Sequence, residues 1–370
     1  MEKIARDCRL YRGDRPCDPH KIEGVKCSDC RHYDPVRGQV LVIKLDALGD
    51  VLRTTSILPG LRERFPRARL TWITRSNALD FFPGNPLVDR VIPLAPEGLV
   101  CLAAECFAFA VNLDTSPLSA GLLSLARAEE KAGFDLDEEG RVRPLGPEAE
   151  SLLAMSVFDD VKRANRRTYQ EMAAGILGIS GPVGPPILEL GEKDRLAAGE
   201  FVARRPLDPA RPVVGFNTGG GGRWRHKRWT EKNTAAAIRR CRDQLGAQVI
   251  LYGGPEEVER NARILAACGP GVRDAGCGNS LRAFFGLLEL CDVLVTSDSL
   301  ALHAAQALGK KVVVLFGPTS AWEIELYGRG ERIVAPVDCQ CCYLTDCAQR
   351  PTCMESIAPE TVVEAVERLL

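Results

Sequence analysis

The chain has 370 residues, too many for one ordinary core and enough for two domains of roughly 150–180 residues each. Its 45% hydrophobic and 26% charged residues exclude a chain disordered throughout, and 48 basic against 49 acidic side chains argue against a nucleic-acid coat or a polybasic membrane anchor. Fifteen cysteines are too few for a disulfide scaffold of this length and many for an ordinary cytosolic enzyme.

Residues 1–37 open polar and charged, with no apolar stretch of a secretory signal, and nowhere does the chain reach the ~18 apolar residues of a membrane span. A cytoplasmic protein is expected, in which clustered thiols read as metal ligands or reactive groups before disulfides. This first segment holds Cys8, Cys17, Cys27 and Cys30 and has no helical or strand periodicity. A buried parallel strand then starts abruptly with VLVIKL (40–45), followed by a helical pattern and by further strands RLTWIT (69–74), DRVIPL (89–94) and CFAFAVNL (106–113). Residues 139–190 are less regular, with a helix around 166–178 and a Pro/Gly-rich linker, GISGPVGPPILEL. The alternation restarts with PVVGFN (212–217), AQVILYGG (247–254), CDVLVTS (291–297) and KVVVLFG (311–317), each followed by a turn or a helix. This predicts an α/β protein of two doubly wound parallel-sheet domains facing a cleft, with ligands beyond the carboxyl ends of the strands.

Three post-strand segments carry chemistry. After VLVIKL comes Asp46-Ala47-Leu48-Gly49-Asp50, where Gly49 is expected to take the positive φ of a tight turn. Asp50, in the first helical turn, reads either as a helix cap or as a general base for an acceptor hydroxyl, with Asp46 as the competing carboxylate. Lys44, Asp46 and Gly49 make up the acceptor-side loop. After PVVGFN comes Thr218 and a glycine run beginning Gly219-Gly220, then Arg223-Trp224-Arg225-His226-Lys227-Arg228-Trp229. Backbone N–H groups of such a loop approach a phosphate closely and Lys227 adds counter-charge. A basic surface loop, or one stacking nucleic-acid bases on Trp224 and Trp229, is the competing reading, and the near-neutral net charge disfavours nucleic acid. The offsets match neither a Walker loop nor a dinucleotide fingerprint. After CDVLVTS, Asp298 or Ser299 caps a helix whose N-terminus favours an anion, with Ser299 and His303 on one face. Thr319 ends the next strand at the same edge. Asp135-Leu136-Asp137 looks like a metal-binding D-x-D but lies in an acidic run that reads as a solvated turn.

Four segments in order resemble glycosyltransferase family 9, the ADP-heptose:lipopolysaccharide heptosyltransferases: VLVIKLDALGDVLRTTSILPGLRERFP, TGGGGRWRHKRW, VTSDSLALHAAQALGKKVVVLFGPT and CMESIAPETVVEAVERLL. The resemblance covers about residues 39–370. It implies a GT-B fold, with an acceptor domain over 38–185, a nucleotide-sugar domain over 186–350 and a last helix, 351–370, returning to the first domain. It also implies inverting transfer of heptose, or a similar sugar, from an ADP-sugar to a lipopolysaccharide-core or other lipid- or protein-linked glycan. No cofactor or metal is then needed for catalysis, no nucleic acid is bound, and transient, peripheral contact with the inner face of the cytoplasmic membrane is allowed. Asp50 would be the general base, Thr218, Gly219, Gly220 and Lys227 phosphate contacts, Asp298 the sugar contact, and Ser299 and His303 neighbours completing the diphosphate site.

Nine cysteines fall into two terminal clusters. The N-terminal four, in a segment too small to order itself by burial, are expected to hold structural zinc or iron, with His20 and His32 in reserve. Cys339, Cys341, Cys342, Cys347 and Cys353 form a second candidate cluster. The remaining six, at 101, 106, 241, 268, 277 and 291, read as small core residues. Cysteine-bound iron occurs in the related autotransporter heptosyltransferases, which glycosylate proteins, so a protein acceptor is the alternative. A non-catalytic, metal-dependent binding protein on a degenerate core is the non-enzyme alternative. An epimerase would want a dinucleotide fingerprint and a Tyr-x-x-x-Lys pair, and neither is present.

Overall fold

The computed structural model describes residues 3–221 and 225–370. Gly222, Arg223 and Trp224 of the glycine-rich loop lie outside the described residues.

The first sheet contains β1 (Gln39–Ile43), β2 (Arg69–Thr74), β3 (Arg90–Pro93), β4 (Cys106–Asn112), β5 (Arg127–Leu136) and β6 (Val142–Leu145), in the order β3-β2-β1-β4-β5-β6. The second contains β7 (Val213–Asn217), β8 (Gln248–Tyr252), β9 (Val272–Asp274), β10 (Val293–Ser297), β11 (Lys311–Phe316) and β12 (Gly330–Val334), in the order β12-β11-β10-β7-β8-β9. Counted from its own first strand, each sheet runs 3-2-1-4-5-6, and every pairing is parallel except β5 with β6. The order of the strands therefore reverses between β1 and β4, and again between β7 and β10. Those two crevices are where an open α/β sheet receives ligands.

The apolar runs become strands because both faces are covered: Val40 to Ile43 and Val293 to Val295 are all buried. β5, β6, β9 and β12 were not anticipated. β5 begins with a charged run (RAEEK), which carries no buried-strand signature, and is recruited by pairing with β4 from Arg127 to Gly133. Asp135 consequently belongs to a strand and is buried, accepting from Ser124 and facing Arg143. Only Asp137 sits in the expected turn, held by Arg141. The middle of the chain is also more ordered than its composition suggested, with helices at Pro147–Val157, Asp159–Ala164 and Tyr169–Ile176. The last of these starts at 169 because Thr168 and Glu171 cap each other reciprocally, at 3.2 and 2.7 Å.

Two expectations fail here. The Pro359–Leu369 helix does not return to the first domain. It packs on the Glu231–Asp243 helix and on β10, β11 and β12, burying Val362, Val363, Ala365 and Val366 beside Ile238 and Cys241. The turn before it decides this. The Ile357 carbonyl accepts from Trp229 Nε1 at 3.1 Å and Asn233 Nδ2 at 3.0 Å, both in the second domain. Trp229 is thereby buried and removed from any base-stacking role.

The N-terminal cysteines do not converge either. Among the described residues, no group of three or more His, Cys, Asp or Glu is arranged to hold a metal ion, in either cysteine cluster. Residues 3–37 are ordered instead by docking on the first domain. Arg9 binds Asp89 at 2.7 Å, Asp34 at 2.7 Å and the Ala68 carbonyl at 3.0 Å, while Arg69 reaches back to the Cys8 carbonyl. Burial opposes ionisation of Asp89, but Arg62, the Leu70 N–H and Arg9 outweigh it and hold its carboxyl below the usual range. Of the six presumed core cysteines, Cys241, Cys268 and Cys291 are buried, Cys101 and Cys277 are half-buried, and Cys106 at the start of β4 is exposed.

Replacing Cys8, Cys17, Cys27 and Cys30 together by Ser should leave this segment docked, whereas Arg9→Ala should release it. Limited trypsin digestion checks this: rapid cleavage within residues 3–37 is expected only for Arg9→Ala.

Candidate active site

The helix Leu48–Thr54, leaving β1, and the helix Leu300–Ala307, leaving β10, meet between the two domains. Gly49 stands at the contact in helical conformation, not with the positive φ expected of it. The need for glycine is proximity: a Cβ there would lie 3.1 Å from His303 Cδ2 and 3.6 Å from the Leu300 backbone. Phe81 against Phe285, with ring centroids 6.0 Å apart, and Arg282 donating to the Asp80 carbonyl close the same interface further out. The linker joins in, as the Ile187 N–H donates to Thr55 Oγ1 at 2.7 Å.

On the first-domain side, Asp50 is both cap and cleft residue. Its carboxylate accepts from the Ala47 N–H at 3.2 Å and pairs with Arg53 at 2.8 Å, yet its side chain stays 37% exposed. Burial disfavours the charged form, but Arg53, Lys44 and His303 together hold the carboxyl below its ordinary value. Lys44 is buried, bound to Asp114 and to the Asp46 carbonyl at 2.6 Å. Burial opposes its charge, and neighbours that include Asp114 and Asp50 keep it protonated. Both oxygens of Asp46, the competing carboxylate, accept from the exposed Arg75, at 2.8 and 2.9 Å.

On the second-domain side, Asp298 follows β10 and pairs with Lys227 at 2.8 Å. Burial resists its ionisation, but Lys227, His303 and Arg53 hold its carboxyl far below the usual range. Ser299 occupies the cap position of the Leu300–Ala307 helix, its hydroxyl 3.0 Å from Thr296 Oγ1 and 3.4 Å from Asn217 Nδ2. His303, one turn on, is buried. Burial and Arg53 lower its pKa to about 4, so the imidazole is neutral near pH 7. Thr218, just beyond β7, donates to Asn261 at 2.5 Å. Gly219 and Gly220 approach Glu257 and Lys227, with room for a Cβ only at 3.3 Å from Glu257 Oε2 and 3.2 Å from Arg228 Cγ.

The fold thus brings Asp50, Asp298, Lys227, Ser299 and His303 to one cleft, with Thr218, Gly219 and Gly220 beside them on the second domain. Sequence reasoning missed several partners. Arg53 lies three residues after Asp50 on the same helix, a spacing that would have flagged it. Its guanidinium stacks 3.9 Å over the Tyr169 ring and stays charged under the influence of Asp50 and Asp298. Asp114 lies two residues beyond β4, on the far side of the first crevice. Glu257 and Glu323 carried no local signal, and Glu323 is raised in pKa by burial despite Arg53.

The sequence profile of glycosyltransferase family 9 (heptosyltransferase) matches residues 101–352. The lipopolysaccharide heptosyltransferase 2 of Escherichia coli K12 is 34% identical over 305 residues, covering 76% of this chain and 83% of that one. The chain belongs to glycosyltransferase family 9. Among solved structures, the E. coli ADP-heptose lps heptosyltransferase II superposes with a TM-score of 0.67 at 22% identity, over 90% of this chain and 98% of that one. The iron-containing dodecameric glycosyltransferase TibC of enterotoxigenic E. coli H10407 gives 0.55 at 14% identity, over 90% and 76%. Both share the two-domain GT-B fold of this family 9 chain. The cysteines as placed do not fit an iron of the TibC kind. Cys339, Cys342 and Cys347 lie near enough to Cys353 to help burial push its thiol up to about 11, but they do not converge on a common point.

Arg53→Gln removes the largest of the attractions that hold the Asp50 carboxyl down, so that pKa should rise. Carbon-13 NMR titration of the Asp50 carboxyl checks this, and an unchanged or lower value contradicts the electrostatic account.

Proposed function

We propose that this chain transfers heptose, or a closely similar sugar, from an ADP-sugar to a lipid-linked glycan acceptor of the lipopolysaccharide-core type, with inversion at the anomeric carbon and without a catalytic metal. Membership of family 9 and the heptosyltransferase relatives support the reaction class. The observation that carries the residue roles is the opposition across the cleft of one half-exposed, ionised carboxylate, Asp50, and a cation-and-helix-terminus cluster, Lys227 with Ser299.

In this reading the ionised Asp50 takes the proton from the acceptor hydroxyl as that oxygen attacks the anomeric carbon. The bond from that carbon to the diphosphate breaks on the opposite face, and ADP leaves with the electron pair. Negative charge then grows on the diphosphate, where Lys227, the Gly219 and Gly220 amides and the free N–H groups beyond Ser299 are preorganised to receive it. His303 is neutral near pH 7, so it serves as a hydrogen-bonding neighbour and adds no charge to the diphosphate site. Asp298 contacts the sugar hydroxyls once an incoming diphosphate competes for Lys227. Lys44, locked to Asp114, keeps Asp50 ionised and supports the acceptor loop. Contact of the two helices at Gly49 excludes water that would hydrolyse the donor.

Asp50→Asn should lower kcat for ADP release in the presence of acceptor by about a hundred- to ten-thousand-fold with donor affinity retained. Lys227→Ala should cost about a hundred- to a thousand-fold. Full activity in the Asp50 variant contradicts the mechanism. Transfer should also survive dialysis against EDTA and o-phenanthroline; loss restored by one added metal would show that the chemistry is not carried by side chains alone.

A further inference from the structure

Beside the cleft, the short helix Asp159–Ala164 of the first domain and the turn after it meet the segments that follow β11 and β12 in the second. Lys162 Nζ sits 4.3 Å over the Tyr343 ring, and the Arg166 guanidinium 5.1 Å from the Trp322 ring centroid. The Tyr343 hydroxyl donates to Glu323 at 3.3 Å, and Glu323 feels both Arg53 and Asp298, which ties this rim to the candidate site. Two features of the rim stand out beyond these contacts. The first is exposed apolar surface: Phe158 is 57%, Trp322 52% and Val161 37% exposed. The second is charge. Over residues 159–167 four basic side chains face two acidic ones. Arg167 pairs with Glu148 at 2.7 Å, whereas Lys162, Arg163 and Arg166 have no carboxylate of the described residues within 4.0 Å. Arg166 donates to the Arg163 and Asn165 carbonyls of its own turn, at 2.7 and 2.8 Å.

Cations interleaved with aromatic and aliphatic side chains on one exposed rim fit an anionic bilayer surface. The apolar groups enter the headgroup layer and the cations meet lipid phosphates. Val161 has no ring face for a nucleobase, and only Phe158 and Trp322 offer exposed rings, which disfavours a single strand of nucleic acid. No helix among the described residues is long and apolar enough to cross a membrane, so attachment would be peripheral.

We propose that Phe158, Val161, Lys162, Arg163, Arg166 and Trp322 form a docking surface for an anionic lipid leaflet. It holds the cleft mouth against the membrane in which a lipid-linked acceptor is anchored. The proposal rests on the lipid-linked reading of the acceptor, and its test is separable from that reading.

The full chain is sedimented with vesicles of phosphatidylcholine alone, and of phosphatidylcholine mixed with phosphatidylglycerol. Binding is expected only with phosphatidylglycerol, falling as salt is added, together with a blue shift of tryptophan emission that is lost in Trp322→Phe. Each basic residue near the leaflet is worth about fivefold in partitioning, so Lys162→Glu/Arg163→Glu/Arg166→Glu should bind about a hundredfold more weakly or worse. Trp322→Ala, a neutral change, should also weaken binding, with an unchanged melting temperature excluding misfolding. ADP release with a delipidated, soluble acceptor should be the same in the triple variant and the wild type. Absence of wild-type binding, equal binding by the triple variant, or binding to a single-stranded oligonucleotide in place of vesicles each overturns the docking surface. Vesicle binding without any ADP release from the wild type overturns the transferase reading and leaves the docking surface standing.

Discussion

Everything in the cleft depends on two helices touching at a residue without a side chain. Gly49 lets the helix after β1 lie against His303 on the helix after β10, so the crevices of two separate sheets face each other at contact distance. A Cβ at this position would stand 3.1 Å from His303 Cδ2, closer than ordinary packing, so a larger residue would force the His303 side of the contact to give way. The contact also supplies the low-dielectric surroundings in which charges interact strongly, a few kcal/mol for a pair near 4 Å against about 1 kcal/mol in water.

Close packing of that kind carries a penalty, because several ionised groups lose water at once. The cleft meets it by alternating sign. Lys44 lies between Asp114 and Asp50, Arg53 reaches Asp50 and acts on Asp298, and Lys227 pairs with Asp298. His303, which has no salt link among the described residues, responds to burial by becoming neutral. Under the proposed reading this alternation has a functional consequence. A diphosphate entering the second domain brings two negative charges to Lys227 and frees the Asp298 carboxylate for sugar hydroxyls. Donor binding would then be an exchange of partners within a preformed network, with little net charge to create or bury.

The terminal segments illustrate what spacing can and cannot say. Four cysteines in a segment with no core of its own suggested a metal clamp, since such a segment must be ordered by something. Ordering is supplied by a long-range ion-pair node, in which Asp89 collects Arg9 and Arg62 and a backbone N–H. Nothing in the local sequence around Arg9 points eighty residues ahead. The last helix was likewise legible as an amphipathic helix, but its choice of domain turned on one carbonyl, that of Ile357, claimed by Trp229 and Asn233.

The division between sequence and tertiary structure follows the range of the physics. Continuous apolar runs, period-3.6 stripes and glycines after strands report on interactions between near neighbours. They sufficed for eight of the strands, the two-domain parallel architecture and the post-strand positions of Asp50, Thr218, Asp298, Ser299 and His303. Elements stabilised by pairing, such as the charged β5, and groups that matter only because another chain segment arrives beside them escaped that reading. Arg53, Asp114, Glu257 and Glu323 acquire their roles from a cleft whose walls are some hundreds of residues apart in sequence. Gly49 shows the boundary most directly: its presence in the turn was visible in the sequence, but the reason for it, the arrival of His303, belongs to the folded protein alone.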